Sequence, residues 1–164
     1  MIVYPKIPEK IVVHLGAPDT DALNITETFP NYIKNVASSE IYPTWPESEI
    51  RANMYAQISF ALNRIYTEYY RSRGYDFDIT SSTAYDQYFV NNRDYFDNIS
   101  QIASEIFNSY IKRDGNVEPL FAQFCDGKEI KCDGKYKIIE LPGNIGYDIE
   151  FKTGIGEQEI EIEF

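Results

Sequence analysis

The feature that most constrains this chain is a stripe of apolar residues at Ile50, Met54, Ile58, Leu62, Ile65 and Tyr69. Steps of three and four residues place these side chains on one face of an α-helix. A helix with such a stripe is stable only when the stripe is buried, so the rest of the chain must supply a layer that covers it. Thr44 and Glu47 have the spacing of a capping box, Pro46 is tolerated in the first turn, and Gly74 is the expected stop.

The covering layer has several sources. "KIVVHLG" (10–16) and "NITETF" (24–29) alternate in the manner of strands, and "YDFDIT" (75–80) and "AYDQYFV" (84–90) read as short strands joined at Ser81 and Ser82. Pro30 and Asn31 start a short helix with Ile33, Val36 and Ala37 on one face. A second long helix is expected from about Asn92 to Lys112, with Tyr95, Phe96, Ile99, Ile102, Ile106 and Tyr110 inward and Arg93, Asp94, Asp97, Glu105 and Asn108 outward. "RDGN" (113–116) ends it. Beyond it, "PLFAQFCDG", "KEIKCDG", "YKIIEL", "GYDIEFKT" and "EQEIEIEF" look like strands, the last two forming a hairpin across "TGIG". The expected architecture is α+β: one domain of two long helices packed on a twisted, mainly antiparallel sheet, with an atypical β-rich C-terminal tail.

Composition narrows the function. The 164 residues have the length of one domain with a real core. A net charge of −11 removes the cationic surface that nucleic acid or an anionic membrane requires. No apolar run is long enough to span a bilayer, and "MIVYPKIPEKIVVHLG" lacks the charged head, apolar stretch and small-residue cleavage site of an export signal. The 14 tyrosines offer flat rings with polar tips, which suit sugars and equally suit an ordinary core. Cys125 and Cys132 are half of a four-thiolate zinc site at most, so free thiols or a hairpin disulfide are the readings, and neither metal nor cofactor is expected.

For chemistry, the segment "NVASSEIYPTWPE" (35–47) stands out. Glu40 follows Val36 and Ala37 on the apolar face of the short helix and is followed by Ile41, Tyr42 and the only tryptophan, Trp45. Apolar surroundings disfavour its charged form and would make it a proton donor near neutral pH. The competing reading is a cap, or an ion pair with Arg51 or Lys34, and spacing does not decide between them. Asp76, Asp78 and Asp86 could pair as in a two-carboxylate glycosidase but read more simply as solvated strand-end charges. His14 sits in an apolar strand and reads as structural, and "GIG" (154–156) lacks the context of a phosphate loop.

"FPNYIKNVASSEIYPTWPESEIRANMYAQISFAL" (29–62) resembles the hallmark block of the stage II sporulation protein D family, the SpoIID/LytB domain: a helix ending in Ser-Glu, a Trp-Pro step, and a helix opening with Ile50, Arg51 and Ala52. "DITSSTAYDQYFV" (78–90) and "EPLFAQFCDG" (118–127) resemble further segments of that family, and the likeness covers residues 10 to about 133. The resemblance implies a lytic transglycosylase acting on peptidoglycan glycan strands, with Glu40 as general acid and then base. Its alternative is a non-catalytic peptidoglycan-binding or amidase-activating module, whose partner would be a cell-wall amidase. It also implies sugar contacts from Tyr42, Trp45, Tyr85 and Gln87, and from Ser59 at the family's Arg-Thr/Ser position, where Ile58 replaces the arginine. It places the protein in the cell envelope or forespore, whereas the N-terminus as coded reads as cytoplasmic. After Cys132 the family's Gly-x-Ser-Gln-Trp-Gly segment is replaced by "GKYKIIELPGNIGYDIEFKTGIGEQEIEIEF", so 1–133 is the family-like domain and 134–164 a divergent tail. Pro119 stands where some members have a zinc-binding histidine, and the metal is not carried over.

Overall fold

The computed structural model describes residues 3–113 and 115–122 and, by backbone, 136–140 and 157–160. The fold is α+β. Strand β1 (Lys10–His14) pairs antiparallel with β2 (Asn24–Thr28) and parallel with the two-residue β3 (Ile79–Thr80), giving the order β2-β1-β3. The chain passes without a loop from β2 into helix α1 (Phe29–Glu40), because Thr28 remains extended and its hydroxyl accepts the Asn31 N–H at 3.3 Å while Pro30 occupies the first turn. Helix α2 (Glu47–Tyr66) carries the long stripe, and α3 (Asp97–Ile106) leads into β4 (Ser109–Arg113). A second sheet, β4-β5-β6, is antiparallel, with β5 at Tyr136–Glu140 and β6 at Glu157–Ile160.

The core forms where α1 and α2 cover β1. Ile11 and Val13 from the strand, Phe29, Ile33, Val36 and Ala37 from α1, and Ile50, Met54, Ile58, Ala61 and Leu62 from α2 are all buried together. Ile99, Ile102 and Ala103 close it from α3. Removing a buried Ile side chain of this kind costs about 2–5 kcal/mol.

Several expectations need correction. The helix expected over 92–112 is only the ten residues of α3, because the chain turns at Asn92 (φ +65°) and is extended at Phe96, and because 109–113 is a strand. Phe96 is consequently exposed and Asn108 buried, the reverse of the expected facing. Residues 84–90 form no strand; they make a turn-rich segment held by side chains. No capping box forms at α2: Thr44 lies in the turn closed by Trp45 N–H to Tyr42 C=O at 3.1 Å, and Pro46 is the N-cap residue. The sheet around β1 is mixed, antiparallel to β2 and parallel to β3. Cys125, Cys132, "GIG" and the "GYDIEFKT" arm of the expected hairpin lie outside the described residues.

Candidate functional site

Glu40 is the last residue of α1. Ile41 beyond it is extended, its N–H still bonded to Ala37 C=O at 2.9 Å, so the helix stops with Glu40 at its open end. Two other elements meet it there. From α2 comes Gln57, whose side chain faces the Glu40 carboxyl, and from the 84–90 segment comes the Tyr88 backbone N–H. Among the described residues Glu40 has no ion-pair partner; Arg51 instead contacts Glu105 at 2.6 Å and Glu47 at 3.5 Å.

Glu40 is exposed as a residue, yet its carboxyl pKa is pushed up to about 7. The two facts answer different questions. Exposure governs access, so a ligand can reach the carboxyl from solvent; crowding by protein atoms governs solvation, so the charged form is disfavoured. Desolvation outweighs the Tyr88 N–H and the Gln57 amide, both of which favour the carboxylate.

The 84–90 segment is fixed from both sides, which is what brings Tyr88 to Glu40. On the α1 side, the Asn35 side chain pairs with Val90 as a strand would, donating to its C=O at 2.8 Å and accepting its N–H at 3.0 Å. On the α2 side, buried Arg64 donates to Asp86 at 2.8 Å and to Tyr85 C=O at 3.1 Å, and its guanidinium lies 3.8 Å above the Tyr69 ring centroid. Asp86 also accepts the Tyr70 hydroxyl at 2.6 Å and the Thr80 N–H and hydroxyl at 3.0 and 2.6 Å. A carboxylate with this many donors is a structural anchor, not a catalytic second carboxylate. Burial and the Asp86 contact keep the Tyr70 phenol protonated well above its ordinary range. Asp78 is likewise occupied, accepting from Val12 N–H at 2.8 Å and Arg71 at 2.9 Å.

Of the sugar-contacting residues expected from the resemblance, Tyr42 and Tyr85 are exposed on the segments that adjoin Glu40. Trp45 is half-buried, its ring 5.9 Å from that of Tyr42 between centroids. Beneath Trp45 opens a cleft of about 140 Å³ lined by Glu47, Ile50, Asn98, Gln101, Ile102 and Glu105. Gln87 is buried and serves from behind: it accepts the Tyr32 hydroxyl at 2.9 Å and donates to Gln57 C=O at 2.8 Å. Ser59 is fully buried at the other side of α2, donating to Tyr55 C=O and accepting the Ile111 N–H, both at 2.7 Å, so it faces β4 and not the site. His14 is buried and stacked on Phe77, bonded to Asn24 and to Thr20 C=O.

Sequence reasoning missed Gln57 and Tyr88. Gln57 adjoins the apolar stripe but no spacing rule singles it out, and Tyr88 contributes a backbone N–H, which no residue type encodes. Among the described residues no three His, Cys, Asp or Glu side chains converge as metal ligands, and no helix is long and apolar enough to cross a membrane. A larger groove of about 760 Å³, between the N-terminal segment and the end of α2, is lined chiefly by Val3, Tyr4, Pro5, Ile7, Leu62 and Tyr66 and contains none of the site residues. No family model, curated protein or solved structure matches the chain.

Proposed function

We propose that this protein cleaves the glycan strands of peptidoglycan by a lytic-transglycosylase reaction, as its resemblance to the SpoIID/LytB family implies, with residues 1–133 as the acting domain and 134–164 as a divergent tail. The observation that carries the reading is the Glu40 carboxyl: reachable from solvent, without an ion-pair partner among the described residues, and with a pKa pushed up to about 7 by desolvation. Near neutral pH such a group exists in both protonation states, which suits one that must give and then take a proton. As the acid it protonates the glycosidic oxygen while the bond to the sugar's anomeric carbon breaks. As the resulting carboxylate it accepts the proton of the same sugar's primary hydroxyl, whose oxygen closes the anhydro ring. No water enters and the carboxyl returns to its starting state, so a second carboxylate is unnecessary, in keeping with the occupied state of Asp78 and Asp86.

The exposed rings of Tyr42, Tyr85 and Tyr88 favour a second reading, a glycan-binding or amidase-activating module in which Glu40 only contacts sugar. One experiment separates the two. The protein is incubated with peptide-stripped glycan strands and the products are examined by mass spectrometry for anhydro-muramic ends. Such ends from the wild type, lost in Glu40→Gln with thermal stability no lower than the wild type's, support the enzyme; retained binding with no such product leaves the binding module.

A further inference from the structure

Buried polar groups are almost always paired, and an unpaired one costs about 1–3 kcal/mol, so each exception asks for a reason. Gln57 is such an exception. Its side chain is nine-tenths buried, at 8% exposure, and its Oε1 has no hydrogen-bond partner among the described residues. An apolar residue of the same shape would avoid that cost. The orphaned oxygen belongs to the side chain that faces the Glu40 carboxyl.

We infer that Gln57 is a positioning residue matched to both protonation states of Glu40: its amide presents N–H to the carboxylate and, turned over, presents Oε1 to the carboxylic acid. The reasoning is chemical. A terminal amide carries a donor and an acceptor of nearly the same shape at its two ends, and rotation about its last torsion exchanges them. In the structure the Gln57 amide contact with Glu40 is one that favours the carboxylate, and Oε1 is left over, the arrangement that suits an ionised Glu40. Once Glu40 takes a proton, its O–H needs an acceptor. The Tyr88 N–H facing it cannot serve, while Gln57 Oε1 can.

The surroundings hold the backbone of Gln57 and leave its terminal amide as the part that can turn. The Gln57 backbone carbonyl is pinned by Gln87, and Gln87 by the Tyr32 hydroxyl, so the residue cannot shift as a whole. The other ionisable groups near the site are already committed. Tyr32 on α1 is held protonated by burial and, after it, by the charges of Asp86, Glu40 and Tyr70, and Asp86 on the 84–90 segment is matched by Arg64 of α2. Arg51, further along α2, is engaged with Glu47 and with Glu105 of α3. The inference rests on Glu40 as the acid and base proposed above, and it adds that both halves of that cycle keep a preorganised partner.

The test follows the free protein and needs no glycan. The side-chain amide ¹H and ¹⁵N resonances of Gln57 are recorded between about pH 4 and 9, alongside the Glu40 carboxyl ¹³C resonance. The expected result is one common midpoint, with the Gln57 inflection abolished in Glu40→Gln. In Gln57→Met, close in shape but neither donor nor acceptor, the Glu40 midpoint moves upward, because a donor to a charged carboxylate is worth more than an acceptor from a neutral acid. Gln57 amide resonances that stay flat through the Glu40 titration, or keep their inflection in Glu40→Gln, overturn the pairing; this wild-type comparison decides even if Gln57→Met does not fold. A coupled titration in a protein that releases no anhydro product sinks the transglycosylase reading alone and leaves the pairing standing.

Discussion

At the scale of single residues, a carboxyl kept from water lowers stability once it ionises, and this gives Glu40 a signature independent of any substrate. Its pKa in the folded protein lies near 7, against an ordinary 4.5. The folded state therefore binds more protons than the unfolded chain between those values. Stability is highest below the lower pKa and falls as pH rises through the upper one. Because Glu40 is exposed, screening by water reduces the effect to roughly 1 kcal/mol. Glu40→Gln removes it: urea denaturation should give the variant the stability of the wild type near pH 4 and an advantage of about 1 kcal/mol near pH 8. An equal difference at both ends of that range would mean that Glu40 is solvated like any surface glutamate. Glu40 was legible in the sequence only in part: Val36, Ala37 and Ile41 mark an apolar segment around it, while the Tyr88 N–H and the Gln57 amide that meet its carboxyl come from other elements. Gln57 was not, because what buries it is a segment some thirty residues away, carrying Gln87, which donates to its carbonyl.

At the scale of elements, the site depends on a segment with no regular structure of its own. Residues 84–90 are held by Asn35 of α1 and Arg64 of α2, and the Arg64–Asp86 pair is desolvated, with side-chain exposures of 6% and 0%. Such a pair adds little net stability when intact, but losing one partner leaves a buried charge. Asp86→Asn should therefore cost about 3–5 kcal/mol in denaturant unfolding. It should also lower glycan cleavage per folded molecule, since Tyr88 then no longer meets Glu40 in a fixed place. Ser59 makes the opposite case. Ser59→Ala strands the buried Ile111 N–H and should cost about 1–3 kcal/mol, while cleavage per folded molecule stays at the wild-type level. A loss of cleavage beyond the unfolded fraction would return Ser59 to the sugar-contacting role the resemblance implied. Helical spacing identifies α2 from Ile50 to Leu62, yet the helix ends at Tyr66 and not at the expected Gly74, which closes a separate 3-10 turn with φ +89°. The spacing misleads further where two elements share one period. Ile99, Ile102, Ile106 and Tyr110 keep helical spacing across the junction of α3 and β4, and only the burial of both Tyr110 and Ile111 reveals a strand covered on two faces.

At the scale of the whole molecule, charge and the proposed ligand must agree. The protein carries 26 acidic against 15 basic residues, and several of the described arginines are engaged with carboxylates: Arg51 with Glu47 and Glu105, Arg64 with Asp86, Arg71 with Asp78. A polyanion would be repelled at long range, and its binding would be strongly salt-dependent. A glycan strand stripped of peptides carries one free lactyl carboxylate per disaccharide, so it too is repelled at long range and must be held at short range by ring stacking and hydrogen bonds. Trp45, the only tryptophan, lines the cleft with Asn98 and Gln101 and reports on that contact without labelling. Titrating the protein with such strands should change Trp45 emission with an affinity that holds or rises between about 0.05 and 0.5 M salt as the mutual repulsion is screened, whereas duplex DNA should leave the emission unchanged at either concentration. A glycan affinity that collapses at the higher salt would place the binding energy in attractive ionic contacts, which a protein and a strand of like net charge do not supply.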